Sequence, residues 1–369
     1  MRPSGVYDVN YVQAQSILRT RVDWFWTVAI LGILLLLPQY PMGGILGIKL
    51  MSPQFLNLLT TSGILLISIT GLNLLLGYTG QISLGQAAFM MVGAYTAAVI
   101  ARETEVPFIL SIVISALMAG VIGLFFGLSS LRVKGFYLAM ATLAAQFIIP
   151  WAINTYEGDW FNLGKGNPLP VPRADILGYE ITSNRQEYYL VLAFVVITAI
   201  AARNLIRSRV GRAWISIRDN DLAAEQLGIN VFRYKALAFF ISAVYAGIAG
   251  GLDAHVSRSV TSDSFSLEFS IEQLAMLVIG GAGFPLGPFF GVAFFKFIDR
   301  YVVDWLNEFS QDVLPDILTF LNPDYIPVGM PHLLLGILLA AFLIYEPRGI
   351  AFRWMILQAA WRLRPFSKA

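Results

Sequence analysis

Apolar residues do not alternate with polar ones along this chain. They run in long blocks separated by short polar or glycine-rich breaks. A helix needs about 20 mostly apolar residues to cross a hydrocarbon core, and about ten blocks meet or approach that length. They lie at roughly 24–40, 54–76, 82–101, 107–130, 135–154, 187–206, 236–255, 271–283, 287–299 and 330–346. The eighth and ninth are short and flank Gly283-Phe284-Pro285-Leu286-Gly287-Pro288. They read either as two spans or as one broken, partly re-entrant hairpin. The alternating segments of a β-barrel are absent. Backbone in lipid must satisfy its own hydrogen bonds, so the predicted fold is all-α, a polytopic transmembrane helical bundle. The first block lacks an A-x-A-like cleavage site and is expected to stay as a span.

Composition sharpens this picture. Of 369 residues, 57% are hydrophobic and 13% charged, about half the charged fraction of a soluble domain. The net charge of +2 gives no ground for a nucleic-acid partner. There is no cysteine, and the histidines are His255 and His332 alone, so neither a thiolate nor a histidine metal centre is expected. No catalytic constellation is assigned. No Walker lysine motif occurs, so ATP cannot bind here by that route.

Flanking charge sets the orientation. Segment 203–235 carries Arg203, Arg207, Arg209, Arg212, Arg218, Arg233 and Lys235, and the C-terminal segment carries Arg348, Arg353, Arg362, Arg364 and Lys368. Segment 301–329 holds Asp304, Glu308, Asp312, Asp316 and Asp324 and no base. By the positive-inside rule the basic side is cytoplasmic, and both termini fall there. The expected organisation is a cytoplasmic segment 1–23, a permease domain 24–346 with a cytoplasmic loop 207–235, and a basic tail 347–369. The loop at 155–187 is rich in Gly and Pro and is expected to be compact.

Small residues recur at four-residue spacing: Ser115, Ala119, Gly123 and Gly127 in one span, Ala243, Gly247 and Gly251 in another. Such faces let helix backbones approach, either within this chain or against a second subunit.

Two breaks stand out. Gly71 to Gln86 is polar and glycine-rich between two apolar blocks, and Gly77 and Gly80 weaken the helix. If the chain unwinds there, Asn73, Tyr78, Gln81, Ser83 and Gln86 offer uncharged donors and acceptors. The next helix would then start with an electropositive end able to face a carboxylate. The alternative is a short turn followed by a glycine-packed helix. The second break contains Gly281, Gly283, Pro285 and Gly287, and reads as a tight turn or as a hinge. No acid lies evidently at mid-span, which argues against a proton-coupled pump.

The basic loop contains Arg218-Asp219-Asn220-Asp221-Leu222-Ala223-Ala224-Glu225-Gln226-Leu227-Gly228. Asp219 or Asn220 suits an N-cap, and Gly228 suits the stop. A helix this short is unstable alone, so it is expected to dock, on its own bundle, on lipid or on a partner.

This loop, Leu75 to Tyr95, Leu131 to Leu143 and Gly280 to Pro288 together resemble the membrane subunits of branched-chain amino acid ABC importers, and within them the LivM type. Segments 1–50, 155–187 and 300–329 match less clearly. The resemblance implies a multi-pass permease subunit in a bacterial inner membrane, paired with a LivH-type permease, two ATPase subunits and a periplasmic substrate-binding protein. It implies that Arg218–Gly228 is the coupling helix on the ATPase, with Ala224 a position where arginine would block uptake. ATP and Mg would sit on the partners, with no cofactor on this chain. The implied cargo is branched-chain or other neutral hydrophobic amino acids. Urea or short-chain amides come second, and an ion-coupled carrier third.

Overall fold

The computed structural model describes residues 53–104, 106–130, 136–161, 168–176, 179–302 and 348–362, with isolated positions 29, 32–36, 38, 336–337, 340–341 and 344–346. Segment 1–23, most of the first and tenth blocks, residues 131–135, the acidic segment 303–329 and the end of the basic tail lie outside the described residues.

The described elements are α1 (Pro53–Leu72), α2 (Gln86–Glu103), α3 (Phe108–Ser130), α4 (Phe136–Phe161), α5 (Asn184–Arg207), α6 (Arg209–Asp219), α7 (Asp221–Gln226), α8 (Val231–Ser257), α9 (Leu267–Gly280), α10 (Gly287–Phe297) and α11 (Ile350–Arg362). A π-helical turn, Asn73–Tyr78, extends α1. Among the described residues, four helical runs, Gln54–Tyr78, Phe108–Leu128, Asn184–Arg207 and Val231–Ser257, are long and apolar enough to cross a membrane. Helices α2 and α4 coincide with the third and fifth predicted blocks.

Helix α8 is the central post, packed against α1, α2 and α3. Its small residues explain how close these helices come. A Cβ on Gly247 would lie 2.6 Å from Ala119 Cβ and 2.8 Å from Ser115 O. One on Gly123 would run into Ala243 Cβ, one on Gly250 into Met90 O, and one on Gly93 into Gly247. The small-residue stripes of α3 and α8 are therefore spent on each other, inside the chain.

Helices α9 and α10 form a hairpin. Gly280 faces Gly287 and Gly291 so closely that no Cβ fits, and Gly291 faces Met276 O in the same way. At 1.5 Å per residue the 14-residue α9 is about 21 Å long, short of a core of about 30 Å. The hairpin leans on α1, where Leu65, Ile69 and Leu72 meet Met276, Leu277, Val292 and Phe295.

The turn-rich loop at 155–187 folds locally where it is described. Strands β1 (Leu169–Pro170), β2 (Asp175–Ile176), β3 (Tyr179–Glu180) and β4 (Ser259–Val260) make two antiparallel ribbons, β1 with β4 and β2 with β3. They sit at the C-terminal end of α8, where Arg258 pairs with Glu187 at 3.2 Å and His255 Nδ1 lies 3.2 Å from Pro172 O.

At the other end of α8 the basic loop is more ordered than the charge pattern suggests. Ser208 caps α6, Asn220 caps α7 and Asn230 caps α8, each accepting from a backbone amide. Trp214 is fully buried and donates to Tyr234 O at 2.9 Å. Gly228, at φ +82°, closes α7. The short helix is therefore Asp221–Gln226. Asn220 turns extended before it, and Arg218 and Asp219 form the last turn of α6 instead.

Candidate functional site

The first break is real: its turn at Gly80 is exposed beside Arg218 of the basic loop, and its far end at Gln86 is buried. After the π turn, Gly80 takes φ +72° and the chain runs without helix to Gly85. It runs back into the bundle, because Gln86 stands beside Ser68. That residue is about ten residues, or about 15 Å, back along α1. Helix α2 thus begins inside the bundle, among buried side chains.

Its amino end would leave several backbone donors without helical partners. Neighbouring helices supply acceptors instead. Leu84 N donates to Thr142 Oγ1 at 3.0 Å, Gly85 N to Ser83 Oγ at 3.4 Å, Ala87 N to Ser270 Oγ at 2.9 Å and Ala88 N to Gln146 Oε1 at 3.0 Å. Ser270 Oγ also donates to Gln146 Oε1 at 2.9 Å, and Gln146 Nε2 donates to Phe265 O at 2.7 Å. The electropositive end is met here by neutral hydroxyl and amide oxygens.

A second polar string continues from Gln86. Its Nε2 donates to Ser68 O at 3.0 Å and approaches Ser68 Oγ at 3.3 Å, and its Oε1 accepts from Ser242 Oγ at 3.3 Å. Ser68 Oγ donates to Gln273 Oε1 at 2.6 Å, and Gln273 Nε2 faces Met90 Sδ at 4.0 Å. All of these residues are buried, and none is charged.

Among the expected pathway residues, Asn73 joins the two breaks. It accepts from Gly283 N at 2.8 Å and donates to Phe284 O at 3.0 Å. A Cβ on Gly77 would fall on Asn73 Oδ1 and Gly283 N, so only glycine fits that junction. Gly281 and Gly283 take φ +110° and +83°, a Cβ on Gly287 would strike Gly281 O, and Pro285 stands exposed in the turn. Gln81 Nε2 donates to Thr79 Oγ1 at 3.0 Å. The Tyr78 hydroxyl and Gln81 Oε1 are buried without a hydrogen-bond partner among the described residues. Such groups are uncommon and mark places where water or a ligand can bind.

Gln146, Gln273, Ser68, Ser242, Thr142 and Ser270 were not among the expected site residues. Lone amides such as Gln146 and Gln273 inside apolar blocks were the available signal. In the basic loop Ala224 is 1% exposed and faces its own chain. Lys235 pairs with Asp221 at 3.6 Å, which ties α7 to α8. Leu222, 61% exposed, and Leu227, 79% exposed, point outward together with Ala223, Glu225 and Gln226. Arginine at Ala224 would therefore disturb the chain's own packing before it met any partner.

A helix bundle interrupted by a half-helix whose end is buried among polar side chains has the architecture of a membrane transport protein. The sequence matches the family model described as branched-chain amino acid transport system / permease component over residues 54–343, and the chain belongs to that family. It is 27% identical over 318 residues to the high-affinity branched-chain amino acid transport system permease protein LivM of Escherichia coli, covering 80% of this chain and 69% of that one. It is 21% identical over 252 residues to the probable branched-chain amino acid transport permease protein LivM of Methanocaldococcus jannaschii, covering 66% and 67%. A shorter match, 33% identical over 130 residues, is to the autoinducer 2 import system permease protein LsrC of an Enterobacter strain, covering 32% and 38%. No solved structure matches. The chain is thus a multi-pass membrane permease of the LivM type.

Proposed function

We propose that this chain is one of two membrane subunits of an ATP-driven importer for branched-chain or other neutral hydrophobic amino acids. Two ATPase subunits, a LivH-type permease and a periplasmic binding protein complete the machine in a bacterial inner membrane. ATP and Mg act on the partners. The observation that carries this reading is the family match over residues 54–343 together with the break between α1 and α2, whose polar side chains Asn73, Tyr78, Gln81, Ser83 and Gln86 are uncharged and buried.

The solute path runs past Asn73, Tyr78, Gln81, Ser83 and Gln86. These side chains carry no charge and suit a zwitterion or a neutral solute, and the neighbouring Arg218 guanidinium is turned onto the Gly77 carbonyl at 2.7 Å. The partnerless oxygens of Tyr78 and Gln81 are the first contacts expected. Movement of the path comes from outside. Helix α7 and its C-cap Leu227 stand on a base held by Asn220 and Lys235 and present two exposed leucines, Leu222 and Leu227, beside Glu225 and Gln226, a foot suited to a groove on an ATPase.

The test is purification of this chain with its natural partners, followed by binding of leucine, alanine and urea to the co-encoded periplasmic protein. ATP-driven uptake is then measured in proteoliposomes. Leucine is expected to bind and to be taken up. Binding of urea in its place would move the assignment to amide import. The Leu227→Arg chain should insert normally and fail to copurify with the ATPase subunits. Copurification at the wild-type level would remove α7 as the foot.

A further inference from the structure

We propose that Arg218 is the positioning residue that transmits motion of the foot to the broken helix. This rests on the docking reading of α7 given above. Arg218 lies in the last turn of α6, one turn before α7, yet its Nη1 donates to Gly77 O at 2.7 Å. That carbonyl belongs to the end of α1. The neighbouring carbonyls of Leu75 and Leu76 are taken by the amides of Gln81 and Gly80, at 3.2 and 3.1 Å. Arg218 therefore caps the broken end with a cation, which is the favourable charge at a helix C-terminus.

The Arg218 side chain also fills a slot made by two glycines, its stem against Gly80 and its guanidinium against Gly283. A Cβ on Gly283 would lie 2.9 Å from Arg218 Nη1, and one on Gly80 would lie 3.2 Å from Arg218 Cγ. Both glycines hold positive φ, so no other residue would sit there without strain. Asn73 locks the same place from within, through Gly283 N and Phe284 O. Four elements thus meet at one side chain: the end of α1, the segment leading to α2, the α9–α10 turn and the base of the foot. Asp219 Oδ1, 3.3 Å from Arg218 Nη2, steadies the guanidinium from the outer side. A push on α7 reaches both helix breaks through this contact, because α6 and α7 share Asn220 as stop and cap. Charge-assisted bonds of this kind are stronger than neutral ones and hold direction as well as distance.

The experiment uses the complete importer in proteoliposomes, with wild-type, Arg218→Ala, Arg218→Lys and Leu227→Arg chains. Copurified ATPase, ATP hydrolysis and leucine uptake are each measured. Arg218→Ala should keep the ATPase subunits bound, yet uptake per ATP hydrolysed should fall about tenfold, within the 5–150-fold span of ordinary coupling free energies. Arg218→Lys, with a cation able to reach one carbonyl, should recover part of that ratio. The chain has no cysteine, so Leu286→Cys in the α9–α10 turn gives a second readout. Its labelling by a thiol reagent should change with ATP in the Arg218 chain and stay constant in Arg218→Ala. An unchanged ratio in Arg218→Ala would overturn the proposal, as would loss of the ATPase subunits to the extent seen with Leu227→Arg. Failure of the docking reading shows separately, as a Leu227→Arg importer that still holds its ATPase subunits, and it would take the proposal with it.

Discussion

Replacing Gln146 by leucine removes three hydrogen bonds with little change of volume. The side chain accepts from Ala88 N and Ser270 Oγ and donates to Phe265 O, at 3.0, 2.9 and 2.7 Å. It is buried, so water does not stand by to replace it. Interhelical hydrogen bonds in bilayers average about 0.6 kcal/mol and reach about 1.7 kcal/mol, so three are worth about 2 to 5 kcal/mol. The stranded amide at the start of α2 pushes toward the upper part of that range, because a buried donor without an acceptor costs about 1–3 kcal/mol by itself. Even the lower bound shifts the folded-to-unfolded ratio about 30-fold. The assay is unfolding of the detergent-solubilised chain followed by tryptophan emission, with Phe147→Leu as control. Phe147 is the next residue on α4 and is exposed, so its change should stay within about 0.5 kcal/mol. A Gln146→Leu chain as stable as that control would refute the view that α4 and α9 cap the half-helix.

Gly77→Ala should cost about 1–3 kcal/mol through overpacking against Gly283 and Asn73, read as a lower thermal midpoint in the same assay. Asn220→Ala removes the cap on Ala223 N and should destabilise α7 by about 1 kcal/mol, seen as faster amide exchange confined to 221–226. Leu227→Arg should leave that exchange pattern intact, since the residue is exposed, while abolishing association with the ATPase.

Much of this was legible before any coordinates. The blocks read at 54–76, 82–101, 107–130, 135–154, 187–206 and 236–255 overlap the helices at 53–78, 86–103, 108–130, 136–161, 184–207 and 231–257, because burial in lipid demands unbroken apolar runs. Gly77, Gly80 and the absence of charge marked the first break but left an unwound segment and a short turn both open, and Gly228 marked the end of α7. The small-residue stripes were legible as close contacts but not as contacts between α3 and α8, since spacing says nothing of the partner helix. Helix α6 was hidden by charge. Its Gly211, Trp214 and Ile217 recur at three-residue spacing, but the intervening arginines made the stretch look like loop. The inward turn of Ala224 goes with the Asn220 cap and the Lys235–Asp221 pair, and that pairing is tertiary, so the sequence did not show which face of α7 turns inward. The polar string of Ser68, Gln86, Ser242 and Gln273 joins four helices, so its pairing is tertiary. The reach of Arg218 to Gly77, 141 residues away, has no local signature at all.

The most direct measurement of the central claim is solute uptake by the reconstituted importer under separate energy sources. Leucine uptake is predicted to require ATP, the ATPase subunits and the periplasmic protein together, and to be absent under a sodium or proton gradient alone. Gradient-driven uptake by this chain without ATPase subunits would contradict the account.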